Sequence, residues 1–188
     1  RAPWNMPPLL AKAVVERYCP TGGLVYDPCA GFGGRLLGAM AAVNIPSYIG
    51  RDASPEVIAA SRDIVELDLK GLCDIERVRS LTAGSSEDWE ATPGDVDLVF
   101  TSPPYFDAEL YVGGPQSWQR YPTYLQWRDG FLGPLLTRAH KALKTGGHLA
   151  LVVRDVQVQT MVYPLESSCQ GLASQLGFKV ICAKDIRY

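Results

Sequence analysis

Histidine is nearly missing from this 188-residue chain, which carries only His140 and His148. A His-based catalytic triad has little to draw on. No H-E-x-x-H or other metal-ligand spacing exists, so no metal site is expected. Cysteine is sparse and scattered: Cys19, Cys29, Cys73, Cys169 and Cys182 contain no C-x-x-C pair. That argues against a zinc site or a disulfide frame, and for reduced thiols in a cytoplasmic protein. No apolar run approaches the ~18 residues of a membrane span. No signal-peptide pattern opens the chain, and no membrane partner is expected. Charge of one sign is lacking too, with 18 Lys plus Arg against 20 Asp plus Glu. The surface as a whole is therefore no nucleic-acid grip, although a local basic face stays open. Repeats, low-complexity tracts and interdomain linkers are absent. The chain begins with Arg1, not methionine. One α/β domain over 1–188, taken from a longer chain, is the expectation.

What is present is a regular alternation of short apolar runs and helical patterns. Leu24-Val25-Tyr26, ending in Asp27, reads as a buried strand. Asp27-Pro28-Cys29-Ala30-Gly31-Phe32-Gly33-Gly34 follows as a glycine-rich loop leading into a helix from about Arg35 to Val43, with Leu36, Met40 and Val43 as its stripe. Glycines there permit positive φ and close approach of backbone to a ligand. The helix N-terminus behind the loop favours a negative group such as a carboxylate. The loop is neither a phosphate-cradling P-loop nor the G-x-G-x-x-G fingerprint. Tyr48 to Arg51 is the second strand, with Asp52 at its end, one βαβ length from Asp27. An acid there is placed to grip ribose hydroxyls; the alternative is an exposed turn acid. Ser54 and Pro55 open a helix to about Lys70, with Val57, Ala60, Ile64 and Leu67 inward. Arg77 to Thr82 is a third strand, followed by Ala83-Gly84-Ser85-Ser86, where an adenine has room to lie.

The fourth strand, Asp95 to Phe100, runs into Thr101-Ser102-Pro103-Pro104-Tyr105. Both prolines fix φ, lack an N–H and push the preceding residue out of helical geometry. The result is a stiff lip carrying a hydroxyl, carbonyls outside any helix ladder and one aromatic face, suited to a planar group with an exocyclic amine. The plainer alternative is that Pro-Pro ends a strand and Tyr105 packs. Phe106 to about Tyr121 is an aromatic-rich loop, either a binding loop or a satellite core. Asp107 and Glu109 in it could face a substrate, with solvated loop acids as the plainer reading. Further expectations are a helix from Met6 to Tyr18 with Leu9, Leu10, Ala13, Val14 and Arg17 on one face, and a helix from Thr123 to Lys144 kinked or broken at Gly133-Pro134. Leu125 is among that helix's apolar residues. A strand over His148–Val153, a helix over Pro164–Leu176 and a strand beginning at Phe178 complete the pattern. It calls for a doubly wound, mostly parallel α/β sheet flanked by helices.

Asp27-Pro28-Cys29-Ala30-Gly31-Phe32-Gly33 resembles the D-P-F-x-G-x-G cofactor motif of S-adenosylmethionine-dependent amino-methyltransferases. Ser102-Pro103-Pro104-Tyr105 resembles their catalytic motif, and its serine form is most familiar in enzymes acting on DNA cytosine. The resemblance implies a Rossmann-like methyltransferase fold and S-adenosylmethionine as cofactor. It implies methyl transfer to an exocyclic amine of a nucleobase, cytosine or adenine in DNA, with RNA or a small molecule as alternatives. It implies that Asp27, Pro28, Cys29 and the backbone of Ala30, Gly31 and Gly33 hold the cofactor's methionine end, with Met6 closing over it. Asp52 takes the ribose and Ala53 lies beside the adenine. Ser85 and Ser86 stand where relatives often have an acid, and Thr101 joins the cofactor side. Ser102 and the Pro103 carbonyl would accept the amine hydrogens, with Pro104 and Tyr105 completing the catalytic lip and Tyr105 stacking on a flipped base. The cofactor motif precedes the catalytic one, so a DNA-recognition region or partner chain is expected outside 1–188. A non-catalytic cofactor-binding module is the competing class.

Overall fold

The computed structural model describes residues 5–90, 94–111, 115–158 and 160–181. Five strands form its central sheet: β1 (Leu24–Asp27), β2 (Ser47–Asp52), β3 (Val78–Ala83), β4 (Val96–Thr101) and β5 (Leu143–Leu151). Their order is β3-β2-β1-β4-β5 and every pairing is parallel. Parallel strands buried on both faces read as nearly continuous apolar runs, and β1 is buried at all four positions. Val25 lies between Tyr48 and Leu98, and Tyr26 between Ile49 and Val99. The chain winds outward from β1 to β3, then crosses back to place β4 on the other side of β1. That reversal opens a crevice at the carboxyl ends of β1 and β4.

Helix α1 (Pro8–Tyr18) packs on α2 (Gly34–Met40) over one sheet face. The two backbones come close because Gly38 has no side chain: a Cβ there would stand 2.5 Å from that of Ala11. Ala11 and Val15 are therefore the buried positions of α1, while Leu9, expected on that face, is 81% exposed and Ala13 and Arg17 also point outward. α2 stops at Met40, short of the expected Val43, which is 78% exposed. The chain turns there to close α1: the Asn44 amide donates to the carbonyls of Val15 and Cys19, and Glu16 accepts from the Val43 N–H.

Ser54 caps α3 (Pro55–Asp63) by accepting from the Val57 N–H. The helix then loosens into π turns over Ile64–Leu69. A change from i→i+4 to i→i+5 bonding shifts the angular spacing of every later residue. The buried stripe is Val57, Ile58, Ser61 and Val65; the expected Ala60, ahead of the π turns, already faces outward, and within them the expected Leu67 does too, at 77% exposure. The same device breaks the expected Thr123–Lys144 helix. It is α5 (Tyr124–Trp127), π turns over Arg128–Leu132, then α6 (Gly133–Ala142), with α4 (Ser117–Arg120) just ahead of it. Pro134 has no N–H for the Gly130 carbonyl, and the ladder reorganises around that gap. Leu125 consequently lies outside, while Trp127, Phe131 and Leu132 are buried.

β5 begins at Leu143 instead of His148 and accommodates Gly146-Gly147 in a register shift opposite Asp97. A hairpin of β6 (Val156–Val158) and β7 (Met161–Tyr163) was not anticipated. It precedes α7 (Leu165–Gln175), whose bounds match expectation closely. Residues 178–181 form no strand, and Val180 and Ile181 are exposed; the rest of that expected strand lies outside the described residues. None of the described helices is long and apolar enough to cross a membrane.

The inverted expectation at Leu67 makes a direct stability test. Leu98→Ala, in the central core, is expected to lower unfolding free energy by about 2–5 kcal/mol. Leu67→Ala is expected to stay within about 0.5 kcal/mol of the parent protein. Urea unfolding followed by circular dichroism measures both.

Candidate functional site

Asp27, at the end of β1, is fully buried and takes four donors. Its Oδ2 accepts from Arg35 Nε at 2.6 Å and the Tyr48 hydroxyl at 3.0 Å; its Oδ1 accepts from the Thr101 hydroxyl at 2.9 Å and the Cys29 N–H at 3.3 Å. A buried carboxylate needs such saturation to offset its lost hydration. Burial opposes the charge on Arg35, but Asp27 beside it outweighs that and leaves the guanidinium above its ordinary pKa. Arg35 also donates to the Cys29 carbonyl, which folds the glycine-rich loop onto the start of α2. Gly31 turns that loop at a φ of 57°, left-handed backbone that disfavours a side chain. Its N–H donates to Asp52 Oδ2 at 2.9 Å, while Asp52 Oδ1 accepts from Ser54 N–H at 3.0 Å.

A pocket opens over these strand ends. One side is Asn5, Gly31, Phe32, Asp52, Ala53, Ser54 and Val57, and its floor includes Cys29, Arg35, Ser85 and Ser86. Asp52 has no cation partner among the described residues. Burial pushes its pKa above the ordinary aspartate value, against the two backbone N–H groups that lower it. Ser85 donates to Glu87, and Ser86 to the Pro28 carbonyl. Their hydroxyl hydrogens are spent, so both oxygens act as acceptors, that of Ser86 sharing a 3.4 Å contact with the Cys29 thiol in which either group can donate.

The other side is the lip at the end of β4. Ser102, Pro104 and Tyr105 line it. The Ser102 hydroxyl donates to the Val152 carbonyl at 3.0 Å, and the Tyr105 hydroxyl donates to the same oxygen at 3.3 Å. The Ser102 and Tyr105 hydroxyl oxygens also lie 3.4 Å apart, and either can donate to the other; burial raises the Tyr105 pKa, with this hydrogen bond opposing it. The ring of Tyr105 is buried in an aromatic cluster and the Arg154 guanidinium lies 5.9 Å from its centroid. The remaining wall comes from the aromatic segment after the lip: Phe106, Glu109, Tyr111, Gln116, Ser117 and Trp118, backed by Phe131.

The structure thus brings together Cys29, Gly31, Asp52, Ala53, Ser85, Ser86, Ser102, Pro104 and Tyr105 of the residues expected from sequence. Met6, Asp27, Pro28, Ala30, Gly33, Thr101 and Pro103 are buried behind the wall instead. Asp27 and Thr101 bind each other and the loop. Met6 packs into the core below α1, and its neighbour Asn5 is the residue that reaches the pocket, with its amide on the Phe32 carbonyl. Glu109, for which the plainer expectation is a solvated loop acid and the alternative a group facing substrate, is 7% exposed and lines the pocket. Its sequence signal was slight: a tyrosine two positions on, in an aromatic-dense loop.

No family model and no curated protein matches the chain. Solved structures match it in fold. The cyclase SpnF aligns over 93% of this chain and 59% of its own, with 16% identity and a TM-score of 0.65. A Haemonchus contortus phosphoethanolamine N-methyltransferase 2, solved with phosphomonomethylethanolamine and S-adenosylhomocysteine, aligns over 90% of this chain and 36% of its own, with 19% identity and a TM-score of 0.59. An S-adenosylmethionine-dependent O-methyltransferase from Thermotoga maritima aligns over 92% of this chain and 51% of its own, with 15% identity and a TM-score of 0.58. The chain therefore spans between 36% and 59% of these proteins. Its fold is the Rossmann-like one of S-adenosylmethionine-dependent methyltransferases. A cyclase among the matches shows that the fold alone does not name the reaction.

Two outcomes follow from this geometry. Asp27→Ala strands Arg35 in the core and is expected to cost about 3–5 kcal/mol of stability, read from the urea midpoint. Burial pushes the Cys29 thiol pKa up to about 12, so Cys29 is expected to resist iodoacetamide in the native protein at neutral pH. Peptide mass mapping should find it alkylated only after unfolding.

Proposed function

We propose that this chain transfers a methyl group from S-adenosylmethionine to an exocyclic amino group of a nucleobase, cytosine or adenine in DNA. The observation that carries this reading is the Ser102 hydroxyl. Its hydrogen is taken up within the lip, by the Val152 carbonyl at 3.0 Å or the Tyr105 hydroxyl at 3.4 Å, so toward the pocket its oxygen is an acceptor. Proline at 103 and 104 adds no backbone N–H to the lip. A lip that only accepts suits a group that only donates, as an –NH₂ does.

The cofactor side fits as well. Asp52 is a largely buried carboxylate without a cation, which suits neutral donors such as ribose hydroxyls better than a second charge. Phe32, Ala53 and Val57 offer apolar surface to an adenine, and the acceptor oxygens of Ser85 and Ser86 suit its amine. S-adenosylmethionine supplies an electrophilic sulfonium methyl at such a site. The chain's own part is placement. An amine on a base is a poor nucleophile because its lone pair is delocalised into the ring. Ser102, by accepting one N–H, favours a more tetrahedral nitrogen with its lone pair directed outward. Pro104 and Tyr105 form the side of the slot, fixed by the tyrosine hydroxyl on Val152. Alignment of this kind accounts for much of the rate in a one-step transfer.

The test is incubation with S-adenosylmethionine and DNA or RNA, then nucleoside mass spectrometry. N4-methylcytosine or N6-methyladenine from DNA is expected. Methylation of RNA alone would move the substrate, and none in either, with cofactor bound, would remove nucleic acid from the reading. Ser102→Ala is expected to slow turnover roughly 5- to 150-fold, the equivalent of about 1–3 kcal/mol, with cofactor affinity unchanged. Because burial raises the Asp52 pKa, its ionised fraction falls on acidification at higher pH than for a free aspartate. Cofactor affinity, measured by calorimetry, should weaken as pH drops through that raised value. Asp52→Asn should bind about tenfold more weakly at neutral pH and lose that part of the pH dependence.

A further inference from the structure

The pocket holds a carboxyl group for which the proposed transfer has so far no use. Glu109 is buried beside the lip, in the wall that also contains Ser102, Pro104 and Tyr105. The Tyr111 hydroxyl donates to its Oε2 at 2.5 Å. Burial first, then Glu109 itself, keeps the Tyr111 phenol protonated far above neutral pH, so this bond has a fixed direction. No Lys, Arg or His pairs with Glu109 among the described residues. Arg35, the one cation lining the pocket among the described residues, belongs to Asp27. A buried carboxylate with one donor is costly unless another arrives.

The wall that holds it is built, not incidental. Gln116 clasps Tyr111 by both backbone polar atoms: the Tyr111 N–H donates to Gln116 Oε1 at 3.0 Å, and Gln116 Nε2 donates to the Tyr111 carbonyl at 2.9 Å. The Arg120 guanidinium, at the end of α4, anchors the segment to Glu87 at 3.1 Å and Asp88 at 2.8 Å. Ser117 accepts from the Trp127 indole N–H at 2.9 Å. Phe106, where the segment begins, sits at a φ of 55°, uncommon for a bulky residue and characteristic of functional turns. Trp118 in the same wall keeps a buried indole N–H with no partner among the described residues. Unmet buried groups of this kind call for an explanation.

We propose that Glu109, held by Tyr111, is a second contact to the methyl acceptor, taking an N–H from its amine side alongside Ser102. The proposal rests on the amino-methyltransferase reading and narrows its substrate: the acceptor must present an N–H donor to this wall. A base with a carbonyl in that place sets oxygen against oxygen. A base lacking the amine leaves Glu109 unpaired.

The experiment uses short single-stranded DNA bearing one test base, with S-adenosylhomocysteine present. Cytosine is compared with pyrimidin-2-one and uracil, and adenine with purine, in wild type and Glu109→Gln. Fluorescence anisotropy gives the affinities, and calorimetry and melting check cofactor binding and folding. Wild type should bind an amine-bearing strand at least about fivefold tighter than its amine-free partner, and Glu109→Gln should bring that ratio toward one. Glu109→Asp keeps the charge but withdraws it, and should lose part of the preference. A wild-type ratio near one for both bases, no binding to any strand, or an unchanged ratio in Glu109→Gln overturns the proposal. Should Glu109→Gln not fold, an unchanged ratio in Glu109→Asp overturns it. Failure of wild type to bind S-adenosylhomocysteine would be a different result: it overturns the methyltransferase reading, and the role of Glu109 with it.

Discussion

The Asp27 carboxylate is the constraint from which the rest of the site follows. It stands where the winding of the sheet reverses, and its four donors come from four places: the loop after β1, the start of α2, β2 and β4. Burying an ion pair is favourable only when its remaining valences are met, and Tyr48 and Thr101 meet them. The consequence is geometric. With Arg35 fixed, the Cys29 carbonyl is fixed; with the Cys29 N–H turned inward to Asp27 and Thr101, the loop must pass over the strand ends. Only then does the Gly31 N–H reach Asp52. A residue that never lines the pocket thus sets the position of one that does.

This explains which parts of the molecule the sequence discloses. β1 and β4 are legible because strands buried on both faces carry almost uninterrupted apolar residues, β2 by its place between helical patterns, and Asp27, Asp52 and Ser102 as the polar residues at or just after their ends. The helices are legible as elements but not as faces. Leu67 and Leu125 are misplaced because π turns at Ile64 and Arg128 alter the angular period, and nothing local announces a π turn except, at the second site, Pro134. Val43 is misplaced because the residues after Met40 serve α1, a contact between segments far apart in sequence.

The site itself divides the same way. The glycine-rich loop and the Pro-Pro lip are recognisable from residue types at fixed spacing, because their shapes are dictated locally by glycine and proline. Roles are not. Asp27 carries the signature of a ligand contact yet spends every lone pair on its own chain. Glu109 carries the signature of a surface acid yet is buried, since its burial depends on Gln116, Arg120 and Trp127 drawing the following segment back over the lip. Local pattern gives position along the chain; only tertiary contact gives the direction a side chain faces.

The charges of the pocket then form a consistent whole. Among the described residues the charged side chains lining it are Arg35, Asp52 and Glu109, and Arg35 is neutralised from behind by Asp27. Two carboxyl groups are left without a cation, one toward each end. A cavity of that sign favours cationic or N–H-bearing ligands and disfavours phosphate. On the proposed function the division is what the chemistry asks for: the cofactor's ribose hydroxyls at the Asp52 end, an amine at the Glu109 end, and a nucleic-acid backbone kept outside. Exposed Arg154, whose guanidinium lies over the Tyr105 ring, offers on that reading a cation beside the lip for a phosphate that stays outside while the base enters.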